Sequence, residues 1–213
     1  MDKLITKTVI ITTSVVLATF LLLFSLVSFI SPKSMGNVTA RMGLKKMSLS
    51  YSEAEYYRTD SISSLGTLVK RSIEYDDESR IIKFSEKFTN RYAFKEYCKK
   101  EDAKSGGKNI CSFENYVYGN YSVALYEKNR VEDAFLIAKT PLTKSYPASN
   151  SLTFLFLECI KEKDANTLKN CVDFLNTLKD EINLYEDITE ADKLSYIENI
   201  EKDINFLTNN INV

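Results

Sequence analysis

One spacing in this chain matches a known nucleophile pattern: Ser105-Gly106-Gly107-Lys108 is a Ser-x-x-Lys array, in which a lysine can activate a serine for acyl transfer. Such a serine opens a helix and works with Ser-Asp-Asn and Lys-Thr-Gly partners. Here it lies in a charged, Gly-containing stretch and neither partner occurs, so chance explains the spacing better. The same stretch lacks the G-x-x-x-x-G-K-[ST] spacing of a phosphate cradle. There is no His at all, which removes the commonest general base, the Ser-His and Cys-His pairs and imidazole metal sites. Asp76-Asp77-Glu78 has the ligand chemistry for a hard cation, but carboxylates at a helix start complement the helix dipole without one. The expectation is a non-enzyme with no cofactor, no metal and no small-molecule substrate.

Four cysteines remain, Cys98, Cys111, Cys159 and Cys171, and none forms a C-x-x-C pair, which weakens zinc and thioredoxin-like readings. Cys159 and Cys171 fall on apolar helix faces and read as small core residues. Cys98 and Cys111 flank the polar stretch Lys99 to Asn109. In an oxidising compartment they could close it as a disulfide; in the cytoplasm they would stay thiols.

The elements that must carry these residues read as helices. Six Gly and three Pro among 213 residues, with 12% aromatic content, favour packed helices over disorder or an all-β fold. Apolar residues at Ile62, Leu65, Val69 and Ile73 share one helical face, and a second helix starting at Asp77-Glu78 turns Ile81, Ile82, Ser85 and Phe88 inward. Thr89-Asn90 separates this from Tyr92 to Cys98. Lys99 to Asn109 reads as a surface loop. Ser112 can cap a helix marked by Phe113, Tyr116, Val117, Asn120, Ala124 and Glu127, and Asn129-Arg130 turns it into Val131 to Lys139. Thr140 to Asn150, with Pro141 and Pro147, reads as a second loop. The run Ser151 to Ile160 is apolar nearly all round and is expected to be the most buried helix, with a partner capped by Asp164. From Thr189 a last helix repeats Ile197, Ile200, Ile204, Leu207 and Ile211 at spacings of three and four. That narrow seam can cap the preceding helices or pair with a second copy as a coiled coil, and two heptads are short for the latter.

Thr8 to Ile30 is an unbroken apolar run without charge, Pro, Gly or Asn, followed at once by Ser31-Pro32-Lys33. It is long enough to cross a hydrocarbon core of about 30 Å. A cleavable signal peptide has an apolar region of about 7–15 residues and a small-residue exit; this run is longer and its exit is bulky, so a retained single-pass anchor fits better. Lys33, Arg41, Lys45 and Lys46 follow it with no acidic residue before Glu53, and form a candidate membrane-surface contact, though an ordinary solvated segment explains four cations as well. Counted by the positive-inside rule these residues place the body in the cytoplasm. Long domains cross largely regardless of charge, and Lys3 and Lys7 favour keeping the short end inside, which tips the balance narrowly to an extracytoplasmic body. The net charge is −1; residues 1–30 carry +1 and residues 31–50 carry +4, which leaves −6 for 51–213. An acidic body is a poor nucleic-acid partner.

Tyr121-Ser122-Val123-Ala124-Leu125 through Asn129-Arg130 to Ala134-Phe135-Leu136-Ile137-Ala138 resembles the middle of a tetratricopeptide repeat: Ser122, Leu125, Asn129 and Ala134 stand at the family's small, large apolar, turn and Ala offsets, and Pro147 falls near its closing Pro. Ala40 to Leu44 through Tyr51 to Tyr57 is similar more loosely, with its Gly and Ala out of register by a residue. The resemblance implies a stack of antiparallel helix pairs with a concave face for a peptide or partner helix, and carries no ligand-contacting residues over. The expected architecture is all-α: a short basic tail (1–7), a transmembrane helix (8–30), a basic juxtamembrane segment with a first helix (31–50), a helical-hairpin body (51–186) and a capping or coiled-coil helix (187–213). The expected role is a membrane-anchored scaffold that binds another protein, the alternative being a small accessory subunit held in a membrane complex mainly by its span.

Overall fold

The computed structural model describes residues 2–106, 111–141, 150–184 and 189–211, with the side chains of residues 2–5 set aside. Among these, all regular structure is helical: α1 (Asp2–Ile30), α2 (Pro32–Arg41), α3 (Lys45–Thr59), α4 (Ile62–Glu74), α5 (Glu78–Thr89), α6 (Phe94–Ser105), α7 (Phe113–Glu127), α8 (Val131–Lys139), α9 (Ser151–Lys161), α10 (Ala165–Asn183) and α11 (Glu190–Ile211). Two compact units result, Met1–Arg71 and Ser72–Val213, with the boundary inside α4.

In the first unit, α1 is one helix of 29 residues, so the short basic tail is its first turns. Thr6–Ile30 is long and apolar enough to cross a membrane, and none of its most apolar window is buried within the protein. Pro32 opens α2 at a position where a missing N–H costs nothing. Where α2 packs on α3, the small residues Gly36, Thr39, Ser48 and Ser52 are buried alongside Met35, Leu49 and Tyr56. Ser48 Oγ donates to the Gly36 carbonyl at 3.0 Å and Ser52 Oγ to the Ser48 carbonyl at 2.8 Å, so the hydroxyls that permit close approach are themselves satisfied.

The second unit centres on α7, which packs against α5, α6, α8 and α9. The expectation that Ser151–Ile160 is the most buried helix is corrected here: α9 buries one face, whereas α7 buries Phe113, Asn115, Val117, Tyr118, Gly119, Tyr121, Ser122, Ala124 and Leu125. Gly119 is the reason α9 comes so close, since a Cβ there would lie 2.6 Å from the Phe154 ring. Phe88, Phe94, Tyr97, Phe113 and Tyr118 form a chain of edge-on and tilted ring contacts at 5.0–6.0 Å that joins α5, α6 and α7. Asp77, Ser112 and Asp164 cap α5, α7 and α10 as the sequence offers, and the structure adds a capping box of Asn150 with Thr153 at α9.

The expected loop from Lys99 is a second correction, because α6 continues to Ser105 and ends at Gly106. Charge removes an apolar face but not a helix. Lys100 pairs with Glu96 at 2.7 Å and Lys104 pairs with Glu101 one turn apart, and Asp102 Oδ1 accepts from the Phe113 amide at 2.7 Å, tying the end of α6 to the start of α7. Gly107 to Asn109 lie outside the described residues, as do Pro147 and most of the expected second loop.

Candidate functional site

Ser105, Asp77 and Glu78 are engaged in structural contacts. Ser105 Oγ donates to the Asp102 carbonyl at 2.7 Å at the end of α6, and its partner Lys108 lies outside the described residues. Asp77 accepts from the Arg80 amide at 3.0 Å and pairs with the Arg80 guanidinium at 2.7 Å. Glu78 pairs with Lys128.

Cys98 and Cys111 are both free thiols in this structure, as are Cys159 and Cys171. Burial, followed by neighbouring carboxylates led by Glu114, pushes the Cys98 thiol up; burial also raises Cys171, and takes Cys159 to about 12. Cys111 is half-buried and raised too, by burial and then Asp102. Because thiolate is the reacting form, a maleimide at pH 8 is expected to modify Cys111 first and the other three only as the fold opens. Peptide mapping after brief labelling checks this, and equal labelling of all four would contradict it.

The seam residues of α11 face the chain's own core. Ile200 and Leu207 are fully buried, and Ile197, Ile204 and Ile211 pack against the same cluster. Lys33, Arg41, Lys45 and Lys46 are all exposed, but they do not form one patch by chemistry. Arg41, Lys45 and Lys46 surround the α2–α3 turn with the exposed Val38, Met42, Leu44 and Met47, whereas Lys33 belongs to a cleft.

That cleft is a polar concavity of the first unit, of about 210 Å³, and sequence reasoning missed it. It is lined by Lys33 and Asn37 of α2, Ser52 and Glu55 of α3, and Ser61, Ser63, Ser64, Thr67 and Arg71 at and along α4. Arg71 is its fixed point. Its Nη1 donates to Ser52 Oγ at 2.6 Å and its Nη2 to Asn37 Oδ1. Gly36 makes this placement feasible, since a Cβ there would lie 2.7 Å from Arg71 Nη1. Glu55 is the one carboxylate in the lining, and Arg58 takes it at 2.8 Å. Ser61 and Ser64 hydrogen-bond each other at 2.9 Å, and Thr67 Oγ1 donates to the Ser63 carbonyl at 2.9 Å. Among the described residues no bond engages the Lys33 ammonium, the Asn37 amide nitrogen or the Ser63 hydroxyl, and a guanidinium has five N–H donors, of which Arg71 spends two. The cleft therefore offers surplus donors and net positive charge, the chemistry that holds an oxyanion.

A second concavity, of about 390 Å³, opens in the second unit where the α7–α8 and α9–α10 turns meet. Tyr126, Glu127, Glu158, Glu162 and Asp164 line it with Lys161. Burial and then the charges of Glu78, Asp76 and Glu158 raise Glu127, with Lys161 opposing them.

No family model, curated protein or solved structure matches the chain.

Proposed function

We propose that the chain is a single-pass membrane-anchored helical-repeat scaffold that holds another protein at the bilayer. The observation that carries this reading is the order of contacts in the second unit. The helices α5, α7, α9 and α11 begin at Glu78, Phe113, Ser151 and Glu190, which are 35, 38 and 39 residues apart. Each of α7–α8, α8–α9, α9–α10 and α10–α11 packs as a neighbouring pair, and α5–α7 and α7–α9 pack as next neighbours. A stack of helix hairpins shares most of this pattern, at a period close to the roughly 34 residues of tetratricopeptide repeats, while α5–α6 and α9–α11 meet through ring contacts rather than close backbone packing. Within the α7–α8 hairpin, Ser122, Leu125 and Ala134 are buried and Asn129 takes φ 59 at the turn, which suits a turn residue tolerant of the left-handed region.

In this reading α1 is the anchor and α11 closes the stack within the chain, its apolar seam turned to α10. Exposed Leu157 on α9 and Leu194 and Phe206 on α11 give the first helices of the hairpins apolar surface for a partner. We take the body to lie outside the cytoplasm, for which Cys111 is the reporter: an impermeant maleimide is expected to reach it in intact cells.

Cross-linking of the full chain in its native membranes, with the sites mapped by mass spectrometry, tests the scaffold. Cross-links to a protein partner are expected to cluster on α5, α7, α9 and α11. Cross-links confined to α1 would instead make the chain a subunit held by its span.

A further inference from the structure

We propose that the cleft between α2, α3 and α4 binds the phosphate group of a membrane lipid headgroup. The proposal rests on the reading of α1 as the span and is independent of what the second unit binds. Its first support is the donor set. The Arg71 guanidinium is fixed by Ser52 and Asn37 over a glycine that leaves it room, and the Lys33 ammonium and the Asn37 amide nitrogen border the same space without a bond of their own. Arg presents N–H groups in a rigid fork that matches phosphate geometry, and the neighbouring hydroxyl of Ser63 adds a donor. The cleft's single carboxylate does not oppose an anion strongly, because Arg58 holds Glu55.

Depth is the second support. The polar headgroup layer adds about 5–7 Å on each side of a hydrocarbon core of about 30 Å. At about 1.5 Å per residue, Lys33 falls within about 5 Å and Asn37 within about 11 Å of Ile30 along the chain. Tyr51 and Ser28 share a hydrogen bond of 2.9 Å, which holds α3 against the last turns of α1 and keeps the cleft at this level. Phe29 and Ile30, beside the entrance to α2, are exposed and apolar, as a surface facing acyl chains requires. A lipid phosphate would reach the cleft without leaving the bilayer; a free phosphate shares the chemistry but has no reason to be concentrated there.

The test uses the purified full chain in detergent and native mass spectrometry. The probes are dioleoylphosphatidylglycerol, dioleoylglycerol with the same chains but no phosphate, and inorganic phosphate. The wild type is expected to retain one phosphatidylglycerol in preference to dioleoylglycerol. Lys33→Gln removes an exposed cation with no internal bond to lose, so the fold is kept, and retention is expected to fall about fivefold. Arg71→Gln is expected to lower it about tenfold or more, while Lys46→Gln, outside the cleft, leaves it unchanged. Equal retention by wild type and Lys33→Gln would overturn the proposal. So would a loss in Lys46→Gln as large as that in Lys33→Gln, which would mean diffuse surface attraction, or displacement of the lipid by an equal concentration of inorganic phosphate, which would make this a free-ion site. Carbonate extraction of cell membranes separates the two premises: full retention of the wild type is expected, and its release would refute the span and the headgroup with it.

Discussion

Leu125→Ala is expected to unfold the second unit far more readily than the wild type, and Leu207→Ala to loosen only one end of it. Both leucines are fully buried, so the chemistry deleted is the same. Truncating a buried leucine costs about 2–5 kcal/mol, from lost transfer energy and the cavity left behind. Against a total stability of about 5–15 kcal/mol for a domain, either change is large. What differs is position. Leu125 sits on α7, which packs against α5, α6, α8 and α9, so its loss weakens contacts with four helices. Leu207 sits on α11, whose packing runs to α10 and, through the Phe206–Phe156 ring contact at 6.2 Å, to α9. If the hairpins form the proposed quasi-one-dimensional stack, a terminal defect frays the end, while a central one uncouples the halves. Hydrogen exchange of the full chain checks this directly. Leu207→Ala should lose protection in α10 and α11 with α5 to α7 unchanged, and Leu125→Ala should lose it throughout α5 to α11. Equal, global loss in both variants would mean a single cooperative bundle and would count against the repeat reading.

The helices that declare themselves in the sequence are those with a cap followed by an apolar stripe. Asp77, Ser112 and Asp164 each open the helix expected of them, and Leu168, Cys171, Leu175 and Leu178 line the inner face of α10 as their spacing requires. Three features were hidden, each for a physical reason. Along α6, Glu96 pairs with Lys100 and Glu101 with Lys104, and this pairing supports its last turns without an apolar face. The burial of α7 relies on Gly119, Ser122 and Asn115, which hydropathy counts as surface residues, although a small residue where two helices touch is as much a packing group as a leucine. The cleft at Arg71 depends on residues from three helices, Asn37, Ser52 and Arg71, which only the fold brings together. The apolar first helix is the opposite case. Length and composition alone mark Thr6–Ile30 as able to cross a bilayer, with no packing partner in the chain needed to recognise it.

Asp164 carries the second large effect, because one carboxylate serves two elements. It accepts from the Thr167 amide at 3.1 Å and the Thr167 hydroxyl at 2.6 Å, capping α10, and from the Tyr126 hydroxyl of α7 at 3.0 Å. Burial alone would raise this carboxyl, but the hydrogen bonds from Thr167 and Tyr126 outweigh it and hold it below the ordinary aspartate range. Asp164→Ala is expected to cost about 2 kcal/mol, roughly 1 for the cap and roughly 1 for the bond to Tyr126. Urea unfolding of the full chain measures it. A depressed folded pKa contributes stability that is present above the unfolded value and is lost as pH falls through the folded one. The wild type should therefore lose this contribution as pH drops from about 5 through the ordinary carboxylate range near 4 and below, and the variant should show a flatter profile over that window. Tyr126→Phe removes the inter-helix bond and leaves the cap. If the bond couples one hairpin to the next, the double variant should fall short of the sum of the singles by about 0.5–1.5 kcal/mol. Strict additivity would mean that Tyr126 and Asp164 act separately, and that the two hairpins are held together by the shared apolar cluster that includes Leu125, Leu155 and Leu168.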